Sequence, residues 1–429
     1  MRGLVPRLGT GARPPSNRHI RATAGPRPAV RVLHVNRLLR GSVAVALATL
    51  VWLPTVHLVF EGEADADGRA RTRDALTEAQ LAMVEDPAAR EAALARMRSA
   101  NAEWDFMGRT FVVLSLANRA LEVPADRDRA LEAMDFLIAE TLRLEDERGQ
   151  DHFLMDYVHA GRFRDPSGRS VFVDGEIALM LAARQRVEPT ELWREALAER
   201  VDIVAGQLGR GPMRSAESYP DECWTFCNTV ALAAIRVSDA VTGDDHTALL
   251  TGWVANAREH LVDPETGMLV SSYRYDGTHL DGPEGSSIFL AAHMLEIVDP
   301  VFARDQYERA RSQLGVTFAG FGWAREWPAS WEGPHDVDSG PVVPLVDASA
   351  GASGMALLGA AAFDDDAWLT ALHTSLAFAA FPTEDDAGHL RYAASNQVGD
   401  AVLLYSLLVG PLWQRVGAPP PAPVAMGGL

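Results

Sequence analysis

The sequence predicts an all-α protein, an (α/α)6 barrel of six inner and six outer helices after an N-terminal transmembrane helix. Three observations predict it. Amphipathic and wholly apolar helical segments alternate through residues 70–414. The long loops precede the apolar segments, and the short connections follow them. The run from Gly41 to Phe60 contains no Asp, Glu, Lys or Arg, and its length is close to the ~20 residues that cross a bilayer.

The amino terminus sets the topology. Residues 1–40 hold nine arginines and no acid, and are rich in Pro and Gly. Such a stretch has little apolar surface to bury and reads as a disordered tail. Arg37 and Arg40 precede the apolar run, and Glu61, Glu63, Asp65 and Asp67 follow it. The arginine side stays in the cytoplasm, so the body is expected to be periplasmic or extracellular. A signal-anchor over 41–61 is preferred to a cleaved signal peptide, although Ala64-Asp-Ala66 resembles a cleavage site. A buried soluble helix is disfavoured by Pro54 and by apolarity on every side. The expected organisation is a tail over 1–40, the anchor over 41–61, the barrel over 70–414 and a Pro-rich tail over 415–429.

Along the body, residues 75–98, 126–144, 191–208, 245–261, 300–314 and 364–381 have one polar face, as outer helices require. Residues 103–121, 170–185, 220–240, 284–297, 348–362 and 396–412 are apolar nearly all round, as enclosed helices are. In the 220–240 segment Pro220 is expected at the first helical position, where its missing N–H costs nothing. Loops at 145–169, 209–219, 262–283 and 315–347 gather aromatic and charged groups, and residues 269–275 are the best candidate for a short β-ribbon.

Charge excludes one partner class. The net charge of −19 becomes −28 once the nine arginines of the tail are set aside, and such a body repels nucleic-acid phosphates. The two cysteines, Cys223 and Cys227, rule out a disulfide-rich scaffold. No cofactor and no metal is expected, because these thiols lack the further ligands that zinc requires.

If the ring closes, the amino ends of the inner helices meet at one cavity. Trp104, Asp105, Asp174, Glu176, Ser218, Asp221, Glu222, Trp224, Cys227, Asn228, Glu284, Asp336, Asp338, Asn396 and Asp400 lie there, with Tyr273 in a long loop beside them. Clustered carboxylates in a dry pocket separate into acid and base forms. The bland alternative is that acids at helix starts serve the dipole and cap free N–H groups. Glu176 departs from it by lying a turn inside an apolar helix. His152, His159 and His335 read as structural hydrogen-bonders.

The stretch Ser218-Tyr-Pro-Asp-Glu-Cys-Trp-Thr-Phe-Cys-Asn228 resembles the linalool dehydratase/isomerase family. The resemblance implies an (α/α)6 barrel over roughly 70–414, and an active site of two cysteines, a histidine and tyrosines around an alkenol. Cys227, followed by Asn228, stands at the family's second active-site cysteine, and Ser218 at the first. Asp174-Gly-Glu176 resembles the segment that ends in the family's histidine, so Glu176 takes that place. Cys223 has no counterpart.

The expected function is a cofactor-free lyase or isomerase of hydro-lyase type. Glu176 is its general acid or base, Asp221 its partner and Cys227 a pocket residue. Trp104, Asp105, Asp174, Ser218, Trp224, Asn228, Tyr273 and Asp338 are expected around the substrate. A glycoside hydrolase or polysaccharide lyase of the cell envelope is the first alternative, and a non-catalytic ligand-binding or scaffold protein the second. The expected partners are a small-molecule or saccharide substrate and the membrane, with a homo-oligomer compatible with the sequence.

Overall fold

The computed structural model describes residues 29–333, 335, 339–384 and 388–416. The described residues fall into two compact units, divided between Pro54 and Thr55. The first contains α1 (Ala29–Trp52), which begins inside the stretch expected to be tail. The helical segment Asn36–Ala64 is long and apolar enough to cross a membrane, with a mean hydropathy of 2.1 and none of its apolar window buried.

In the second unit a four-residue helix, α2 (Glu61–Ala64), leads into α3 (Ala66–Glu85) and α4 (Pro87–Ala100). The expected single helix over 75–98 is broken because Asp86 caps α4 through the Ala88 amide at 2.9 Å, with Pro87 at the first position. Then come α5 (Ala102–Glu122), α6 (Arg127–Arg148), α7 (Val171–Val187), α8 (Glu191–Arg210), α9 (Thr225–Thr242) and α10 (Thr247–His260). The chain continues through α11 (Gly285–Leu295), α12 (Pro300–Gln313), α13 (Ala350–Ala362), α14 (Asp366–Ala379), α15 (Gln397–Leu408) and the short α16 (Pro411–Gln414).

Helices α5, α7, α9, α11, α13 and α15 pack each on the next, and α15 closes on α5. This is the inner ring of an (α/α)6 barrel. The outer layer is α3, α6, α8, α10, α12 and α14. Every residue of α7 is buried, whereas α8 buries only Trp193, Leu197, Val201, Val204, Gln207 and Leu208, so the alternation in the sequence is the alternation of layers. The loops before α7, α9, α11, α13 and α15 are long and share one end of the barrel, whereas Asn101 alone joins α4 to α5.

That end is stitched by short strands. The strand β1 (Cys223–Trp224) pairs with β2 (Ser272–Tyr273), and β2 with β3 (His279–Asp281), which places strand structure where residues 269–275 suggested it. A hairpin of β4 (Gly315–Phe318) and β5 (Phe321–Ala324) opens the loop before α13. Its strands escaped the sequence reading.

The helix expected from residue 220 starts instead at Thr225. Tyr219-Pro-Asp-Glu222 is a tight turn: the Tyr219 amide donates to the Glu222 carbonyl at 3.1 Å and the Glu222 amide to the Tyr219 carbonyl at 2.9 Å. Asp221 has a φ of 61°. Proline at the second turn position and a left-handed residue at the third define this turn, and Asp tolerates that conformation. Pro220 therefore opens a turn, and Cys223 lies on a strand rather than one helical turn before Cys227.

Candidate active site

The amino ends of the inner helices and the loops before them enclose a cavity of about 430 Å³. Aromatic side chains dominate its wall: Trp104, Tyr157, Phe172, Tyr219, Trp224 and Phe226, with Met107, Met355 and Val402. The polar contributions are Glu103, Cys227, Glu284, Ser286, Ser287, Ser339, Ser395 and Asn396. Among the described residues no arginine lines the cavity.

Glu176 stands behind this wall. It is 2% exposed, on the inner face of α7, and its Oε2 has no hydrogen-bond partner. Burial pushes its pKa up to about 8, and Glu103 adds to the rise while the Thr110 hydroxyl works the other way. The carboxyl is thus mostly protonated at neutral pH. Its influence reaches the cavity at Cys227: burial raises the thiol pKa well above the usual value, and Glu176 and Glu103 raise it further. The Ser218 hydroxyl opposes that shift. Cys227 is therefore a protonated thiol rather than a thiolate nucleophile.

Glu103 and Tyr219 form the second polar feature. The Tyr219 hydroxyl donates to Glu103 Oε1 and accepts from the Met155 amide at 2.9 Å. Tyr157 stacks on the Tyr219 ring with centroids 4.1 Å apart. Burial and the Glu103 charge raise the Tyr219 pKa, so it stays protonated. Glu284 lies before α11, across the ring from α5, and accepts at 3.5 Å from the Ser287 hydroxyl. A buried carboxylate, Glu326, fixes the nearby wall by accepting from the Ser286 amide at 3.0 Å and from Ser339 and Ser349 hydroxyls.

The structure brings together Glu176, Cys227, Trp104, Trp224 and Ser218 from the sequence expectations. It sends others elsewhere. Asp221 does not line the cavity: at the tip of its turn it pairs with Arg164 at 3.2 Å and Arg274 at 3.1 Å, and the interaction with these arginines holds its pKa low against the cost of burial. Asp174 lies roughly 200° around α7 from Glu176 and faces the outer layer, bound at 2.9 Å by Arg169 and also by Arg200. Asp105 pairs with Arg109 at 3.1 Å. Asn228 braces the loop, accepting from the Ala216 amide at 2.8 Å and donating to the Trp224 carbonyl at 2.9 Å. Tyr273 is buried behind β1, its hydroxyl donating to Ser215 at 2.7 Å. Asp338 and Asp336 lie outside the described residues.

Sequence reasoning missed Glu103, Tyr157 and Tyr219. The signal for two of them was present: Glu103 adjoins Trp104, and Tyr219 adjoins Ser218. Of the loop histidines, His152 has its pKa lowered to about 4 by burial and by Arg98 and Arg148, so it is a neutral ring away from the cavity. Among the described residues no group of three or more His, Cys, Asp or Glu is arranged to hold a metal ion.

These features define an (α/α)6-barrel protein with an aromatic pocket and a protonated buried acid. The family model described as linalool dehydratase/isomerase matches residues 196–398, so this part of the barrel is similar to that family. Solved structures are more distant. An unsaturated glucuronyl hydrolase from Bacillus sp. GL1 is 14% identical over 72% of this chain and 86% of that one, with a TM-score of 0.47. A glycoside hydrolase of family 105 from C. acetobutylicum is 12% identical over 65% and 91%, with a TM-score of 0.38.

Proposed function

We propose that the protein is a membrane-anchored, extracytoplasmic lyase or isomerase that acts on a neutral, largely apolar alcohol without a cofactor. The observation that carries this reading is Glu176, a carboxylic acid protonated to about pH 8 behind a wall of aromatic side chains. A leaving hydroxyl needs a proton, and an acid with a pKa near the working pH is the best donor. The pocket volume suits a small molecule, and its described wall, aromatic and without arginine, favours a neutral substrate over a uronate or phosphate.

In the proposed dehydration Glu176 gives its proton to the substrate hydroxyl, with the Cys227 thiol as the group between them. The C–O bond breaks with its electrons on oxygen, and water leaves. Glu103, oriented by the Tyr219 hydroxyl, takes a proton from the adjacent carbon, and that C–H pair becomes the new double bond. Exchange with solvent returns Glu176 and Glu103 to their starting states. Glu176 and Ser218 replace the His and first Cys of the family pattern, so the acid in this chain is a carboxyl group.

The test is turnover of linalool and of shorter and longer allylic alcohols, by wild type and Glu176→Gln. The reading requires turnover of at least one alcohol by the wild type and its loss in the variant. A second reading, a glycosidase, rests on Glu103 and Glu284 standing on opposite sides of the ring as two carboxylates must. Hydrolysis of aryl glycosides that depends on both Glu103 and Glu284 and survives Glu176→Gln would establish it instead.

A further inference from the structure

The apolar run after α1 does not end as a free linker. Residues 55–60 belong to the barrel unit, and their rings pack on the β4–β5 hairpin and on α14. Phe60 lies 6.5 Å from Phe321 and 5.5 Å from Phe378, and Phe321 lies 5.4 Å from Phe378, between ring centroids. His57 sits edge-on to Phe321 at 6.5 Å. It lies so close to the hairpin tip that a Cβ on Gly320 would come within 2.2 Å of its ring. The tip is turned by Ala319 and Gly320, both at positive φ.

Around this cluster large apolar side chains are left in the open. Val59 is 78% exposed, Phe381 62%, Phe318 60%, and Leu58 and Phe378 each 53%. Phe381 is held outward with a φ of 52°, a conformation unfavourable for a bulky residue. A contiguous exposed apolar patch of this kind marks an interaction surface. Two of its members, Leu58 and Val59, are also part of the candidate membrane-spanning segment Asn36–Ala64. The patch is therefore continuous in the chain with the one segment, among the described residues, long and apolar enough to cross a membrane.

Its place in the barrel adds a consequence. Phe318 lies in the loop before α13 that also gives Ser339, Gly340 and Pro341 to the cavity, and Phe381 in the loop before α15 that gives Ala394, Ser395 and Asn396. Patch and cavity thus occupy the same end.

We propose that this rim docks on the bilayer that anchors the chain, turning the cavity end of the barrel toward the lipid. The inference rests on the membrane anchoring proposed above. Because the body is acidic, attraction to anionic headgroups is not the force. The aromatic and aliphatic side chains partition into the boundary between headgroups and acyl chains. The pocket would then receive its substrate from the membrane phase.

The full chain is reconstituted in phosphatidylcholine nanodiscs containing nitroxide-labelled lipid. A thiol-reactive fluorophore is attached at Phe318→Cys, Phe381→Cys, Val45→Cys or Leu192→Cys, in separate proteins; the native Cys223 and Cys227 are buried. Leu192 is exposed at the start of α8, on the opposite end of the barrel. Quenching at 318 and 381 several-fold above that at 192, alongside strong quenching at 45, supports docking. Quenching at 45 with 318 and 381 no higher than 192 overturns docking and leaves the anchor standing. Water-shielded but unquenched labels at 318 and 381 assign the rim to contact between copies, and overturn it as well. An unquenched label at 45 overturns the anchor and the docking together.

Discussion

The Tyr219 hydroxyl bridges the loop before α7 and the first turn of α5: it accepts from the Met155 amide at 2.9 Å and donates to the Glu103 carboxylate. Tyr219→Phe removes that bridge and takes from the Met155 amide the hydroxyl that accepts from it. We expect a loss of about 2 kcal/mol in chemical denaturation and at least a tenfold drop in turnover. Glu103→Gln keeps the hydrogen bond to Tyr219 but removes the base, so turnover should fall as far with little change in stability.

Asp221 provides a contrasting case. Its position at a φ of 61° and its pairing with Arg164 and Arg274 give it a role in the turn. Asp221→Gly should leave turnover within twofold of wild type, since glycine fits this conformation. Asp221→Val, β-branched where φ is positive, should cost about 1–2 kcal/mol by thermal unfolding.

The carboxylates of Asp174 and Glu145 share Arg169 and Arg200. Asp174 is fully buried, so Asp174→Asn leaves two partly buried guanidinium groups with Glu145 as their one remaining carboxylate in this cluster. The expected cost is roughly 3 kcal/mol, with unchanged turnover per folded molecule. Stability by denaturant titration and activity at low temperature separate the two effects.

These contrasts show what the sequence could carry. The two helix types were legible because apolarity on one face or on all faces is a property of local sequence, and layer membership follows from it. Glu176 was legible for the same reason, as a carboxyl about a turn inside an apolar helix, followed by Ile177, Ala178 and Leu179. Asp221 was not: Pro220 suits both a helix start and a turn, and only the pairing of β1 with β2, on the far side of α9 and α10 in the chain, decides between them. Asp174 and Glu176 look equivalent in sequence, yet two residues along a helix turn them to opposite sides, and the arginines that claim Asp174 come from the preceding loop and the next helix. Tyr219 and Glu103 meet through tertiary structure 116 residues apart, a distance over which no local pattern operates.

Stability should itself report the buried acid. In the unfolded chain Glu176 ionises near its ordinary value of 4.5, but in the folded protein it keeps its proton to about pH 8. Between these values the unfolded state binds fewer protons, so stability falls as pH rises through the window and levels off above it. The expected loss is of the order of 4 kcal/mol, and Glu176→Gln should remove that part of the pH dependence. Denaturant titrations of both proteins from pH 5 to 9 check it.

The most direct test of the central claim is the protonation of Glu176 itself, followed by infrared difference titration of the wild type against Glu176→Gln. The account predicts a protonated carboxyl band, absent from the variant, that persists through neutral pH and is lost with a midpoint near pH 8. A Glu176 carboxyl already ionised at pH 6 would contradict it, because no proton would then be available for a leaving hydroxyl.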